Sequence, residues 1–319
     1  MEFKNTLISF IIVNHNTGSL LKQCINSIYE HEKSVDFEVI IVDQNSSDNS
    51  REIINVLSTS KQKIKKIFLD KVYSFSYANN QGHKISTGGY ILIMNPDIIF
   101  IESILDRLID KLENNPELGA ICPLLIGKDE RFQRNYFQRY PTILQFVLFH
   151  SIFAKPFYKF PKLMNRYLEN QDIALDSKRV EFIEQIPCAF FLTNRSVFEQ
   201  AGKMDENYYL FFEDVDLSYQ INKKYKLAID TSLRVTHLGG VSFQNDDNWW
   251  LYGRFIMSMN YFFDKNYNWL RAFLLKAFSV TNSLLVIFIE YTKKIFGKSG
   301  EYRLKKHKYF LKEFKKYYL

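Results

Sequence analysis

The 319-residue sequence predicts an α/β fold: a Rossmann-like, mostly parallel central sheet flanked by helices, followed by a helical extension rich in aromatics and lysine. Three observations carry this prediction. Short runs of β-branched and aromatic residues alternate with amphipathic stretches through the first 125 residues. Each run is apolar along its whole length, as a strand covered on both faces must be. Turn-forming polar residues follow several of the runs at once, and ligands of such sheets collect at the carboxyl ends of strands.

Residues 7–13 (LISFIIV) read as the first strand. Leu20, Leu21, Cys24, Ile25 and Ile28 then recur at helical spacing. Residues 37–42 (FEVIIV) form a second buried strand ending at Asp43, and residues 47–50 offer several N-caps for a helix through about Leu57. Residues 64–69 and 90–94 supply a third and a fourth strand. A helix over 102–114 follows, stopped by Asn115-Pro116, and 120–126 reads as another strand. Such alternation implies right-handed crossovers between parallel strands. Residues 127–185, with prolines at 141, 156 and 161, break the pattern; it resumes at 188–193 and continues to about His237. From Trp249 onward the chain reads as helices laden with aromatics.

Composition narrows the function classes. The 52 Phe, Tyr and Trp residues make 16% of the chain, and 46% hydrophobic residues exclude wholesale disorder. Net charge is +7, yet residues 293–319 hold ten Lys or Arg against two Asp or Glu, so the rest is close to neutral. That distribution argues against nucleic-acid binding and for a local electrostatic anchor. Cys24, Cys122 and Cys188 are odd in number and far apart, which suggests neither a zinc knuckle nor a disulfide framework and fits a reducing cytoplasm. The apolar run at 7–13 is too short for a signal peptide and lacks a small-residue cleavage site.

The residues after the strands are the candidates for chemistry. The first strand ends in Asn14-His15-Asn16-Thr17-Gly18 and the second in Asp43-Gln44-Asn45. A buried-strand carboxylate needs a partner, and its two acceptor oxygens suit a nucleobase N–H or ribose hydroxyls. Asn79-Asn80-Gln81-Gly82 is expected to precede a short helix with Lys84 one turn in, a place for a diphosphate; no Walker A pattern is present. Asn95-Pro96-Asp97 presents a carboxylate at the sheet edge, suited to a divalent ion that keeps waters and phosphates as its other ligands. Glu213, Asp214 and Asp216 follow five large apolar residues, 208–212, so one carboxylate is expected to face a dry cleft with a raised pKa, usable as a base. His237-Leu238-Gly239-Gly240 offers an imidazole as a second metal ligand.

In order along the chain, FIIVNHN, VIIVDQNSSDNS, ANNQGHKISTGGYILIMNPDI and CAFFLTNRSVFEQAGKMDENYYLFFEDVDLSYQI…VTHLGG resemble glycosyltransferase family 2 on a GT-A fold, in its rhamnosyltransferase-like branch. The resemblance spans about residues 6–125 and 187–242. It implies that Asp43, with Asn14, Asn16 and Asn45 beside it, meets the base of a sugar nucleotide, and that Asn80 and Lys84 lie near the ribose-diphosphate. Asn95 and Asp97 would stand where the family carries its DxD metal motif, Asp97 as its last Asp. One charge is missing, which leaves dependence on Mn2+ or Mg2+ open. Asp214, paired with Glu213, would be the general base, and His237 a metal or diphosphate contact. The implied organisation is a catalytic domain over 1–242, made of a donor half (1–125), a variable acceptor-side insertion (127–185) and a base half (187–242), with a membrane-associating extension over 243–319.

The Gln-x-x-Arg-Trp motif and membrane spans of processive members are not found, which favours transfer of one sugar. The first expectation for the sugar is rhamnose from a dTDP donor, with UDP-hexoses as the alternative. A sugar nucleotidyltransferase would need a Gly-rich triphosphate clamp that residues 7–18 lack; a non-catalytic binding module would not need Asp97, Asp214 and His237 together. The apolar segment 277–289 is too short to span a bilayer, so it lies in an interface or packs on the protein. The tail 293–319 alternates Lys and Arg with aromatics, suiting an anionic leaflet and a polyprenyl-linked glycan acceptor at the cytoplasmic face.

Overall fold

The computed structural model describes residues 7–168, 173, 179–239, 248–297 and 300–319. Gly240, the 242/243 domain boundary and part of the 127–185 insertion lie outside them. The chain divides into two compact units. One comprises 1–138, 170–207 and 213–242; the other comprises 139–169, 208–212 and 243–319.

The first unit is built on a nine-stranded sheet: β1 (Leu7–Asn14), β2 (Asp36–Asp43), β3 (Ile64–Phe68), β4 (Tyr90–Met94), β5 (Ile98–Ile99), β6 (Leu118–Ile126), β7 (Val180–Ile183), β8 (Phe190–Asn194) and β9 (Lys226–His237). Its order is β3-β2-β1-β4-β8-β6-β9-β5, with β7 on β9. Three neighbouring pairs among β1–β4 and the β6–β9 pair are parallel, whereas β8 runs antiparallel to β4 and β6. Strands β5 and β7 run antiparallel to β9. The GT-A-type architecture expected from the sequence is therefore present, with a mixed sheet rather than a mostly parallel one.

Burial on both faces explains the continuous apolar runs. In β2, Val39 and Ile41 join the main core with Leu21, Cys24, Ile25 and Ile28 of α1 (Gly18–His31). The intervening Ile40 and Val42 face Ala78 of α3 (Phe75–Ile85). Helix α2 (Ser50–Ser60) buries Ile54 and Leu57 in the main core, and α4 (Leu105–Asn114) adds Leu105, Leu108, Ile109 and Leu112. Gly82 lets α3 lie directly on the sheet: a Cβ there would sit 2.6 Å from Ile11 Cγ2. The three cysteines are free and buried.

The second unit is helical. It contains α5 (Ile143–Gln145) running into a π-turn over Phe146–His150, then α6 (Ala154–Phe157) and α7 (Pro161–Tyr167). The sheet unit carries α8 (Arg195–Gln200) and α9 (Glu213–Asn222). The C-terminal helices of the helical unit are α10 (Trp249–Asn266), α11 (Trp269–Ile295) and α12 (Glu301–Tyr318). Two expectations change here. The apolar 277–289 run belongs to a 27-residue helix, about 40 Å long, which is long and apolar enough to cross a membrane by length and composition. A third of its apolar stretch is buried inside the protein, and the helix as a whole buries Ala272, Leu275, Ser279, Asn282, Ser283, Val286 and Glu290. The aromatics of the basic tail also turn inward: Phe310 is buried, Tyr309 meets Trp249, and the Tyr318 hydroxyl donates to Asp264 at 2.9 Å. Lys305, Lys308, Lys312, Lys315 and Lys316 of α12 stay exposed.

Candidate active site

Strands β1, β2, β4 and β9 point the same way, so Asn14, Asp43, Asn95–Asp97 and His237 reach one edge of the sheet. One stretch of chain lies beside both acid groups of this edge. The Asn95 N–H donates to the Ala189 carbonyl at 3.1 Å, and the Glu213–Asp214 pair lies close enough to the preceding residue, Cys188, to add to the rise that burial gives its thiol pKa, while the Cys188 amide opposes the rise of Asp214. The Asn-Pro-Asp turn and the Glu213–Asp214 pair thus neighbour consecutive residues of the β8 lead-in, whose Cα atoms are about 3.8 Å apart.

Asp97 is buried. Its Oδ2 accepts from the Gly239 N–H at 3.0 Å, and its Oδ1 lies 3.5 Å from His237 Nε2. Gln133 sets the ring: its amide N–H donates to the His237 carbonyl at 3.0 Å, and its Oε1 faces His237 Nδ1 at 2.6 Å. In the neutral ring this places the proton on Nδ1 and turns the Nε2 lone pair toward the Asp97 oxygen. Tyr136 packs edge-on against the ring at 4.9 Å. In that form the two facing acceptors suit a cation between them. Among the described residues no three His, Cys, Asp or Glu side chains gather as a metal cage. The pair fits a divalent ion that takes its other ligands from diphosphate oxygens and water.

Glu213 and Asp214 open α9 directly after Phe211 and Phe212, whose φ angles of 67° and 69° lie in the left-handed region. Two consecutive bulky residues there store backbone strain of about 1–3 kcal/mol each. Burial pushes the Glu213 carboxyl up to about 8, and the Asp214 charge adds to it. Burial raises Asp214 too, opposed by the N–H groups of Val215 and Cys188. Glu213 Oε2 is buried with no hydrogen-bond partner among the described residues. This is the environment of a pair that shares one proton near neutral pH. Asp216, one turn in, is buried and accepts from Gln220 at 3.1 Å.

At the β1–β2 end, one sequence expectation gains its surroundings and another is corrected. Asp43 has no exposure: its carboxylate accepts from Asn14 (2.8 Å), from the Ser46 N–H (3.0 Å) and hydroxyl (2.5 Å), and pairs with Arg51 at 3.5 Å. It locks the two loops together, because a strand-end carboxylate without solvent must spend its lone pairs on neighbours. The surface it supports is exposed Asn16 and Asn45, both left-handed (φ 53° and 52°), with Asn16 Oδ1 accepting from Ser47 N–H at 2.7 Å. The correction concerns the helix around Asn80 and Lys84. Helix α3 begins at Phe75, capped by the Ser74 hydroxyl, so Asn80 lies at its middle and Lys84 near its end rather than ahead of it or in its first turn. Asn80 donates to the Met204 carbonyl and to Glu206, each at 2.8 Å, and exposed Lys84 donates to Gln81 at 3.2 Å. The helix start, beside Gln44 and Tyr73, is what faces the β2 tip. Sequence reasoning missed Gln133, Tyr136 and Ser46.

A GT-A-type sheet thus carries an acidic turn, a histidine and a carboxylate pair with raised pKa values along one edge. The profile of glycosyl transferase family 2 matches residues 9–174, and the chain belongs to that family. It is 28% identical over 107 residues to the glycosyltransferase GlyG of Streptococcus pneumoniae, 34% of this chain and 35% of that protein. It is 26% identical over 140 residues to the N-acetylglucosaminyl-diphospho-decaprenol L-rhamnosyltransferase of Mycobacterium tuberculosis, 44% of this chain and 43% of that one. The chain thus spans under half the length of these curated relatives. Among solved structures, the mannosyltransferase PcManGT of Pyrobaculum calidifontis, in complex with GDP-Man and Mn2+, shares the fold with a TM-score of 0.56 at 12% identity, over 95% of this chain and 84% of that one.

Proposed function

We propose that the sheet unit transfers one sugar, with inversion, from a nucleoside-diphosphate donor to a hydroxyl of a lipid-linked glycan, as a step in bacterial surface polysaccharide synthesis. The observation that carries this reading is that the Asn95–Asp97 turn, bonded to Ala189, and the Asp214 carboxyl, beside Cys188, neighbour adjacent residues. Leaving-group and acceptor chemistry must meet at one anomeric carbon, and that spacing supports their meeting. Rhamnose from a dTDP donor is the first choice, supported by the rhamnosyltransferase relative of M. tuberculosis.

In this reading the nucleoside lies over Asn16 and Asn45, on the loops that Asp43 and Asn14 lock from behind. Asp97 and His237, held by Gln133, would hold Mn2+ or Mg2+, with Asn95 beside them. The ion, when bound, offsets negative charge on the departing diphosphate. Asp214 takes the acceptor's proton as the hydroxyl attacks, and Glu213 beside it keeps its own proton and sets the pair's titration. The unit acts at the cytoplasmic face of a membrane whose anionic surface attracts the exposed α12 lysines.

Asp214→Asn tests the assignment. Transfer should fall about 10²–10⁴-fold, while donor binding, read as ligand-induced thermal stabilisation, persists. Retained turnover would overturn it.

A further inference from the structure

The helical unit holds a polar cavity of about 480 Å³ that the transfer reaction does not use. That volume lies in the range of small-molecule sites. Its walls include His150, Tyr252, Asn282, Arg303, Lys306 and His307, and among the described residues no Asp or Glu lines it.

The charges are one-sided. Lys306 Nζ lies 4.5 Å from the Tyr252 ring centroid and 5.8 Å from that of Tyr302, with no carboxylate partner among the described residues. A half-buried ammonium held only by aromatic faces is costly to keep charged. Burial, and then Arg303, lower its pKa accordingly. Arg303 pairs with Glu290 at 3.3 Å, but Glu290 also takes Lys293 at 3.0 Å, so one carboxylate serves two cations. His307 is buried, and Ser283 holds its Nδ1 at 3.0 Å; no hydrogen bond to its Nε2 is present among the described residues. Burial holds His307 and His150 down to about 4, so both rings are neutral at pH 7, and a neutral ring carries one N–H donor. Two cations, two neutral rings and the Asn282 amide, with no acid, match a phosphate ester.

The surroundings add an apolar requirement. Helix α11 contributes Asn282 and Val286 to the wall, and its outer face exposes Phe273, Phe278, Leu284, Leu285, Phe288 and Tyr291 without an intervening charge. Tyr158 lines the cavity with 48% exposure, and Phe160 nearby in sequence has 53%. We propose that the cavity binds the phosphate or diphosphate group of an amphipathic lipid phosphate, its chain lying along the exposed apolar face of α11. The site does not depend on the transfer reaction, so its failure and that of the enzymatic assignment are separable.

The test uses the full chain with phosphatidylcholine vesicles, plain or doped with polyprenyl phosphate, and with sodium pyrophosphate as the soluble arm. The parent should bind the doped vesicles more tightly than the plain ones. Lys306→Gln should weaken that binding about tenfold or more, the loss of a charge-assisted hydrogen bond. Lys312→Gln, an exposed lysine of the same helix, should change it little. Without lipid, Lys306→Gln should melt no lower than the parent, because it removes a cation that lacks an anion. Equal affinity for doped vesicles in the parent, Lys306→Gln and Arg303→Gln overturns the proposal. Thermal protection by pyrophosphate that lipid phosphate does not match also overturns it, and reassigns the cavity to a soluble anion.

Discussion

Glu213 and Asp214 illustrate how a local environment shifts the titration of ordinary carboxyls. In the unfolded chain Glu213 titrates near 4.5, whereas burial beside Asp214 lifts it to about 8 in the folded state. Between those values the folded protein binds more protons than the unfolded one, so stability falls as pH rises through that window. Glu213→Gln should therefore melt a few degrees higher than the parent at pH 8, with the difference vanishing toward pH 4. The same replacement leaves Asp214 without a coupled acid, so the acid limb of the pH–rate profile should move to lower pH. An unchanged profile together with an unchanged pH dependence of melting would show that the two carboxyls do not share a proton. His237 depends on a neighbour in another way: Gln133 selects its tautomer, and with it the atom offered to Asp97.

Elements, rather than single residues, build the β1–β2 end, where the proposed donor site lies. The loops after β1 and β2 are joined through Asp43, and four of its contacts disappear together if the carboxylate is lost. Asp43→Ala leaves the Ser46 N–H unpaired, at a cost of about 1–3 kcal/mol, and leaves the buried Asn14 amide only the Ser46 hydroxyl at 3.2 Å. Melting temperature and donor affinity should fall together; a loss of affinity at unchanged melting temperature would instead mean direct contact with the donor. The strands that carry these loops were legible in the sequence because burial on both faces demands unbroken Val and Ile runs, and Pro96 marked the acidic turn. Other parts were not legible for physical reasons. Strand β5 has two residues and β7 has four, with Phe182 exposed, too little for a periodic signal. The start of α3 hides in Phe75-Ser76-Tyr77, which reads as strand, although Ser74 as an N-cap was the available clue. Gln133 sits in an irregular stretch, and nothing in its neighbourhood marks a histidine partner 104 residues away.

At the scale of the whole molecule, the question is what covers the outer face of α11. Its inner face already spends Ser279, Asn282, Ser283 and Glu290 on partners within the helical unit, so a helix crossing the bilayer alone would have to abandon them. Lying along the interface keeps those contacts and wets only the apolar stripe. The basic edge meets that stripe, since Lys308 Nζ donates to the exposed Tyr291 hydroxyl at 2.7 Å. Attraction of surface lysines is screened within about 8 Å at physiological salt, whereas burial of apolar area is not. Binding to anionic vesicles should thus weaken with added salt without vanishing. Phe288→Glu should abolish the salt-resistant part, because it places a charge where an apolar ring would enter the acyl boundary. If that substitution instead converts a dimer to a monomer in solution, with vesicle binding unchanged, the stripe is covered by a second copy of the chain.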